Sequence, residues 1–192
     1  MPADGQASTA ARAPGTGRVA PPGEHPDWQS DDTLLNHLAL NAREVPQRVA
    51  MRERDHGIWQ EYTWADYLER VLAFAAGLEP YGVGPEDRIL IVGDNRPTLY
   101  FAMLSATALR AVPSPAYPDA TPQEVGEQMK REDIRFALAE DQEQVDKLLE
   151  IKETYPALEL IVYDDPRGLK GKEPDGVVGF EAIVSAGRAR LQ

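Results

Sequence analysis

The chain contains no cysteine among its 192 residues, which excludes disulfides, thiolate-bound zinc, iron–sulfur clusters and a cysteine nucleophile, and fits a cytoplasmic setting. Cations are scarce as well. Its 20 Lys+Arg face 32 Asp+Glu, giving a net charge of −12 and a pI near 4.7. It therefore lacks the surplus of positive charge with which a general nucleic-acid binder neutralises phosphates. Long hydrophobic runs are missing too. The longest apolar stretch, residues 99–109, is interrupted by Ser105 and Thr107 and falls short of the ~20 residues that span a bilayer. It reads as a buried helix, so no transmembrane segment is expected. No basic segment followed by an apolar one opens the chain, and a cleaved secretion signal is not expected. The resulting expectation is a cytoplasmic protein, at most peripheral to a membrane through a local patch.

What is present describes an ordinary globular body behind an atypical leader. Hydrophobic residues make up 42% and charged residues 27% of the chain, enough for one core of roughly 150 residues or two small ones. Residues 1–30 hold six Ala, five Pro and four Gly, with Trp28 the only large aromatic. Such a stretch cannot bury enough apolar area to offset its ordering entropy, and it is read as a disordered leader. Residues 31–187 then form the folded body and residues 188–192 a tail. No internal repeat is visible.

Hydrophobic spacing and turn residues divide the body into elements. Asp32 is placed to cap a helix bearing Leu34, Leu35, Leu38, Ala39 and Ala42, which Pro46 ends. Residues 49–54 and 58–63 flank Asp55-His56-Gly57 and read as a β-hairpin. Thr63 with Asp66 forms a capping box before a helix with apolar residues from Trp64 to Leu78. Residues 88–93, with Ile89, Leu90, Ile91 and Val92 in succession, read as a parallel strand covered on both faces. Asn95 is placed to cap a helix over 96–110, and Thr121-Pro122-Gln123-Glu124 opens another that reaches about Glu132. Strands over 136–139 and 158–163 bracket a helix capped by Asp141 and ended near Pro156. Residues 170–179 read as a surface loop and residues 180–186 as a last short helix. Strand and helix alternate, so the expected fold class is α/β: an N-terminal β-hairpin and helices, then alternating β/α units of a mostly parallel sheet.

Candidate chemistry is sparse. Gly93, Asp94, Asn95 and Arg96 follow the best strand and open a helix, where open α/β sheets bind ligands. They hold a single glycine and no G-x-G-x-x-G pattern, so a plain strand-to-helix turn is the favoured reading over a nucleotide site. Residues 168–173 have the wrong spacing for a phosphate loop and no hydroxyl after the lysine. His25, His37 and His56 lack a second ligand at i,i+4, which argues against a metal site or a Ser-His-Asp triad. The pairs Glu140-Asp141 and Asp164-Asp165 are read as caps and turns, and Glu143 with Lys147 as a helix-surface ion pair.

Four segments in order carry a resemblance: Tyr62-Thr63-Trp64-Ala65-Asp66; residues 82–97, containing Gly82-Val83-Gly84-Pro85-Glu86-Asp87-Arg88 and Gly93-Asp94-Asn95-Arg96-Pro97; residues 140–149; and Tyr163-Asp164-Asp165-Pro166-Arg167-Gly168-Leu169. Together they resemble the start of bacterial AMP-forming long-chain fatty acyl-CoA synthetases. The resemblance implies an incomplete part of that family's large-domain fold. It also implies a ligase that activates a fatty acid with ATP and magnesium, releases pyrophosphate, and passes the acyl group to the thiol of coenzyme A. In that family the phosphate loop, the nucleotide contacts, the magnesium-binding glutamate and the mobile C-terminal domain lie downstream of the matching region. No catalytic, cofactor-binding or metal-binding residue is therefore transferred to positions 1–192, and the chain alone is expected to be inactive, with the remainder of the ligase as its natural partner. The alternative is a non-catalytic α/β binding or interaction module derived from that family. One departure from the pattern, Pro113 and Pro115 where a strand normally follows the buried helix, puts that strand in doubt.

Overall fold

The computed structural model describes residues 33–192 apart from His56, Lys170 and Lys172. The leader over 1–30 and the Asp32 cap lie outside the described residues. Helix α1 (Leu34–Glu44) instead takes Thr33 as its cap, whose hydroxyl oxygen accepts the Asn36 N–H at 3.2 Å. Strands β1 (Val49–Asp55) and β2 (Ile58–Thr63) form the antiparallel hairpin, with Gly57 at φ +82° in its turn. Helix α2 (Trp64–Leu78) opens on the expected capping box: the Asp66 N–H donates to Thr63 Oγ1, and the Asp66 carboxylate accepts the Thr63 N–H.

Alternating units follow. They are β3 (Arg88–Val92), α3 (Pro97–Ala108), β4 (Val112–Ala116), α4 (Pro122–Glu132), β5 (Phe136–Ala139), α5 (Gln142–Thr154), β6 (Leu160–Tyr163), β7 (Val177–Gly179) and α6 (Phe180–Leu191). The five strands β3 to β7 make one parallel sheet in the order β4-β3-β5-β6-β7.

Side chains alternate across this sheet, and each face has its own core. Ile89, Ile91, Phe136, Leu138, Leu160 and Val162 pack under α1, α2, α3 and α6. Leu90, Val92, Ala137, Ala139, Ile161 and Tyr163 pack under α4 and α5. Period-2 alternation of uniformly apolar residues is what a strand needs when helices cover both faces.

The prolines resolve the doubt about the strand after α3. β4 lies at the sheet edge, and the Val112 N–H donates to Asp87 O at 2.7 Å, so every second amide from Val112 faces β3. Pro113 and Pro115 fall between those positions, and their missing donors point to the open edge. The strand forms because the prolines share its period.

Other expectations need correction. Helix α3 is capped at Arg96, without a side-chain cap, and begins with Pro97; Asn95 only accepts from the Tyr100 hydroxyl at 3.4 Å. Part of the expected loop over 170–179 is β7, and α6 runs to Leu191, taking in most of the expected tail. Helix α6 lies directly on α2, with the Phe74 and Phe180 rings stacked at 4.3 Å.

Candidate functional site

The strand order fixes where a ligand crevice should lie. From β3 the chain passes to β4 on one side and then returns past β3 to β5 on the other, so the crevice of this topology opens between the carboxyl ends of β3 and β5. Gly93 and Asp94 leave one strand there, and Glu140 leaves the other.

The protein fills this crevice with its own groups. The Glu140 carboxylate accepts the Asp94 N–H at 2.5 Å, and the Glu140 N–H donates to Val92 O at 3.0 Å. Gly93 sits at φ +152°, and a Cβ there would lie 2.5 Å from the Glu140 Cβ, so only glycine permits the approach. Arg96 Nε then stands 3.0 Å from Glu53 Oε1 on the hairpin and 3.5 Å from Glu140 Oε1. A phosphate there would have to displace a carboxylate from the Asp94 amide and sit among further acids. The sequence brings Gly93, Asp94 and Arg96 together as anticipated, and their electrostatics do not favour a nucleotide.

Of the acidic pairs, Asp141 and Asp165 are the cap and turn residues expected, and Glu140 and Asp164 are engaged elsewhere. Asp141 does cap α5, accepting the Gln144 N–H at 3.1 Å. Asp165 pairs with the Arg167 guanidinium, which holds its carboxyl below the usual range. Its neighbour Asp164 is pushed up to about 6, chiefly by burial; a Thr98 hydrogen bond and Arg96 oppose this, and Glu53 and Glu140 add to it. Adjacent residues thus carry carboxyls displaced in opposite directions, Asp165 by a guanidinium two positions on and Asp164 by burial, with contributions from side chains more than ten positions away. Above Asp164 is a polar cavity of about 350 Å³ whose lining includes Glu53, Tyr62, Arg70, Arg96, Arg167 and Glu181.

The remaining candidates find structural roles. Lys147 donates to Pro118 O at 2.5 Å and to Gln144 Oε1 at 2.9 Å, so it joins α5 to the loop before α4 and does not pair with Glu143 as expected. In the loop over 168–173, Leu169 is buried, and Glu173 accepts the Tyr163 hydroxyl at 2.7 Å. His37 is exposed on α1. Among the described residues no group of three or more histidine, aspartate or glutamate side chains is placed to hold a metal ion, and no helix is long and apolar enough to cross a membrane. A second cavity, of about 590 Å³, opens beyond the ends of β3 and β4 between Leu99, Tyr100, Met103, Pro115 and Tyr117.

Comparison with known proteins places this architecture. A family model described as AMP-binding enzyme matches residues 38–182. 4-Coumarate–CoA ligase 2 of Oryza sativa subsp. japonica is 32% identical over 141 residues, covering 70% of this chain and 24% of that protein. The long-chain-fatty-acid–CoA ligase heimdall of Drosophila melanogaster is 29% identical over 104 residues, covering 54% of this chain and 15% of its own length. Among solved structures, acetoacetyl-CoA synthetase from Streptomyces lividans superposes with a TM-score of 0.71 at 22% identity, over 79% of this chain and 24% of that one. Coronafacic acid ligase from Pectobacterium brasiliense gives a TM-score of 0.69 at 16% identity, over 79% of this chain and 29% of that one. The structural likenesses are of fold. The chain spans less than a third of each of these relatives.

Proposed function

Because the chain belongs to the AMP-binding enzyme family, we propose that it is the N-terminal part of the large domain of an acyl-CoA ligase. That ligase would activate a long-chain fatty acid with ATP and join it to coenzyme A. The observation that carries the reading is a family match over residues 38–182, which takes in the hairpin, the whole parallel sheet and the first turn of α6. Kinship with a long-chain-fatty-acid ligase supports the acyl substrate; the 4-coumarate ligases among the relatives favour a second reading, an aromatic acid of the hydroxycinnamate class.

In this proposal the chain supplies scaffold and the rest of the ligase supplies chemistry. ATP and magnesium would form the acyl-adenylate, and the coenzyme A thiol would displace AMP from it. The described residues do not fit those groups: Glu140 takes the switch-point amide, and the acids do not converge on a metal position. The 192 residues also contain no Ser/Thr/Gly-rich loop ending in lysine. The purified chain should therefore show no ATP–pyrophosphate exchange with palmitate or with 4-coumarate; exchange above the acid-free background with either would overturn the scaffold reading and identify the acid class.

A non-catalytic module remains the competing reading, favoured by the buried core on each face of the sheet and by an edge strand whose prolines withhold donors from further pairing. It requires the chain to melt cooperatively as a monomer, whereas a ligase segment should bind hydrophobic dyes and aggregate. The reading frame beyond the codon for Gln192 separates the two: continuation into a Ser/Thr/Gly-rich segment ending in lysine makes the chain part of a ligase.

A further inference from the structure

We infer that Glu53, Arg96, Glu140 and Asp164 form a proton-operated clasp that sets how firmly the β1–β2 hairpin is held against the carboxyl ends of the parallel strands. The inference concerns the hairpin and does not depend on ligase activity.

The geometry is that of one guanidinium paired with acids of two elements, with Asp164 of a third lining the same cavity. Arg96 leads into α3; its Nε is 3.0 Å from Glu53 on β1 and 3.5 Å from Glu140 at the end of β5. These side chains are mostly buried, with exposures of 27% for Arg96, 19% for Glu53 and 16% for Glu140, so their interactions are little screened. Glu140 is fixed from behind by the Asp94 amide and by its own N–H bond to Val92. Asp164 is fixed too, since its N–H donates to Ala139 O at 3.0 Å. Glu53 alone belongs to an element outside the sheet, and the hairpin tip beyond it is open, with Ile58 65% and Trp59 62% exposed. When the charge balance changes, the hairpin is the part free to respond.

Every charged group facing Asp164 bears on the sign. Thr98 of α3 and Arg96 favour its anion; Glu53 of β1 and Glu140 of β5 disfavour it. Across the cavity Arg70 of α2 is engaged by Glu181 of α6 at 2.6 Å and lies 5.6 Å from the centre of the Tyr62 ring of β2. On its own loop Asp165 is neutralised by Arg167. Arg96 is thus the cation left to Asp164. With Asp164 protonated, Arg96 serves its ion pairs with Glu53 and Glu140; with Asp164 ionised, a further carboxylate on the same cavity draws on it. The cavity above Asp164 gives water a route to its carboxyl.

Burial holds the Asp164 carboxyl at about 6 against an ordinary 3.8. A group raised in this way stabilises the closed form fully at low pH, and the stabilisation is lost as pH rises through the folded value. If hairpin opening returns Asp164 to its ordinary environment, linkage between these two values makes the opening constant grow roughly tenfold between pH 5 and 7. It should level off above that range.

The test is amide hydrogen exchange by NMR on the whole 192-residue chain from pH 4.5 to 7.5, with rates corrected for intrinsic exchange. In the wild-type chain the ladder amides of the hairpin should open more readily than those of β3 and β5 and carry the tenfold rise. In Asp164→Asn, which keeps the shape and loses the proton, the profile should be flat. If that variant does not fold, Thr98→Val serves instead: losing the hydroxyl that favours the anion should move the midpoint of the rise to higher pH. A flat wild-type profile, a rise that survives in Asp164→Asn, or an unmoved midpoint in Thr98→Val overturns the clasp.

Discussion

Substituting Gly187 by alanine tests how closely α6 is laid on α2. A Cβ at Gly187 would overlap the Ala73 carbonyl oxygen and lie 2.7 Å from the Gly77 nitrogen. Both obstacles are backbone, so no rotamer change relieves them and α6 has to move away. Helix propensity alone favours the substitution by about 1 kcal/mol. Against it stand an overpacking cost of ~3 kcal/mol, the upper end for a site that cannot yield, and part of the Phe74–Phe180 stack, worth about 1 kcal/mol. The pairs Arg188–Glu69 and Arg190–Glu79 also span the two helices; they are exposed, and little is assigned to them. The expected net loss is roughly 3 kcal/mol, or a fall in Tm of about 6–12 °C for a domain of this size. Urea unfolding followed by circular dichroism measures it, with Gly84→Ala as control, since a Cβ at Gly84 meets nothing within 4 Å. The control should stay within about 0.5 kcal/mol of the wild type. A Gly187→Ala protein more stable than wild type would show that propensity governs and that the helices are not in backbone contact.

Two further predictions concern the sheet and its helices. Ser105, fully buried in α3, hydrogen-bonds through its hydroxyl to Val71 O of α2 at 2.8 Å and to Phe101 O at 2.7 Å; Ser105→Ala should cost about 1 kcal/mol in urea unfolding, because both carbonyls keep their helical partners. Gly93→Ala would drive a methyl group against Glu140. It should destabilise by roughly 1–3 kcal/mol and release the Asp94 amide, whose exchange protection should fall at least tenfold; unchanged protection would mean that Glu140 does not hold it.

The elements that sequence reading places well are those with a complete local signal. The boxes at Thr63-Asp66 and Thr121-Glu124 are two-way hydrogen bonds within four residues, and both form. The run Ile89 to Val92 is unambiguous because both of its faces are covered. Where the signal is shared between neighbours or arises from tertiary packing, reading fails. Thr33 caps α1 in a stretch where Asp32 is an equally good candidate, and only backbone geometry chooses between them. β7 has three residues, too few for alternation to register among glycine, proline and acids; its pairing to β6 makes it a strand. The prolines of β4 look hostile to a strand until the sheet order shows that they face outward. Asp164 carries no local mark at all. Its environment is assembled from Glu53, Thr98, Arg96 and Glu140, drawn from three parts of the chain.

The topology sets what a ligand at this sheet would meet. Its order places a crevice between β3 and β5, and a nucleotide there would need unengaged amides, a glycine allowing close backbone approach, and a cation or a helix N-terminus aimed at the phosphates. All three exist, and each is already committed. Gly93 is spent on admitting Glu140, the Asp94 amide is held by that carboxylate, and Arg96, which would meet the phosphate at the start of α3, is divided between Glu53 and Glu140. The groups that would bind a ligand instead tie the hairpin to the sheet. A crevice converted into an internal brace is consistent with the scaffold role proposed above, and the acids that brace it are the ones that repel a nucleotide.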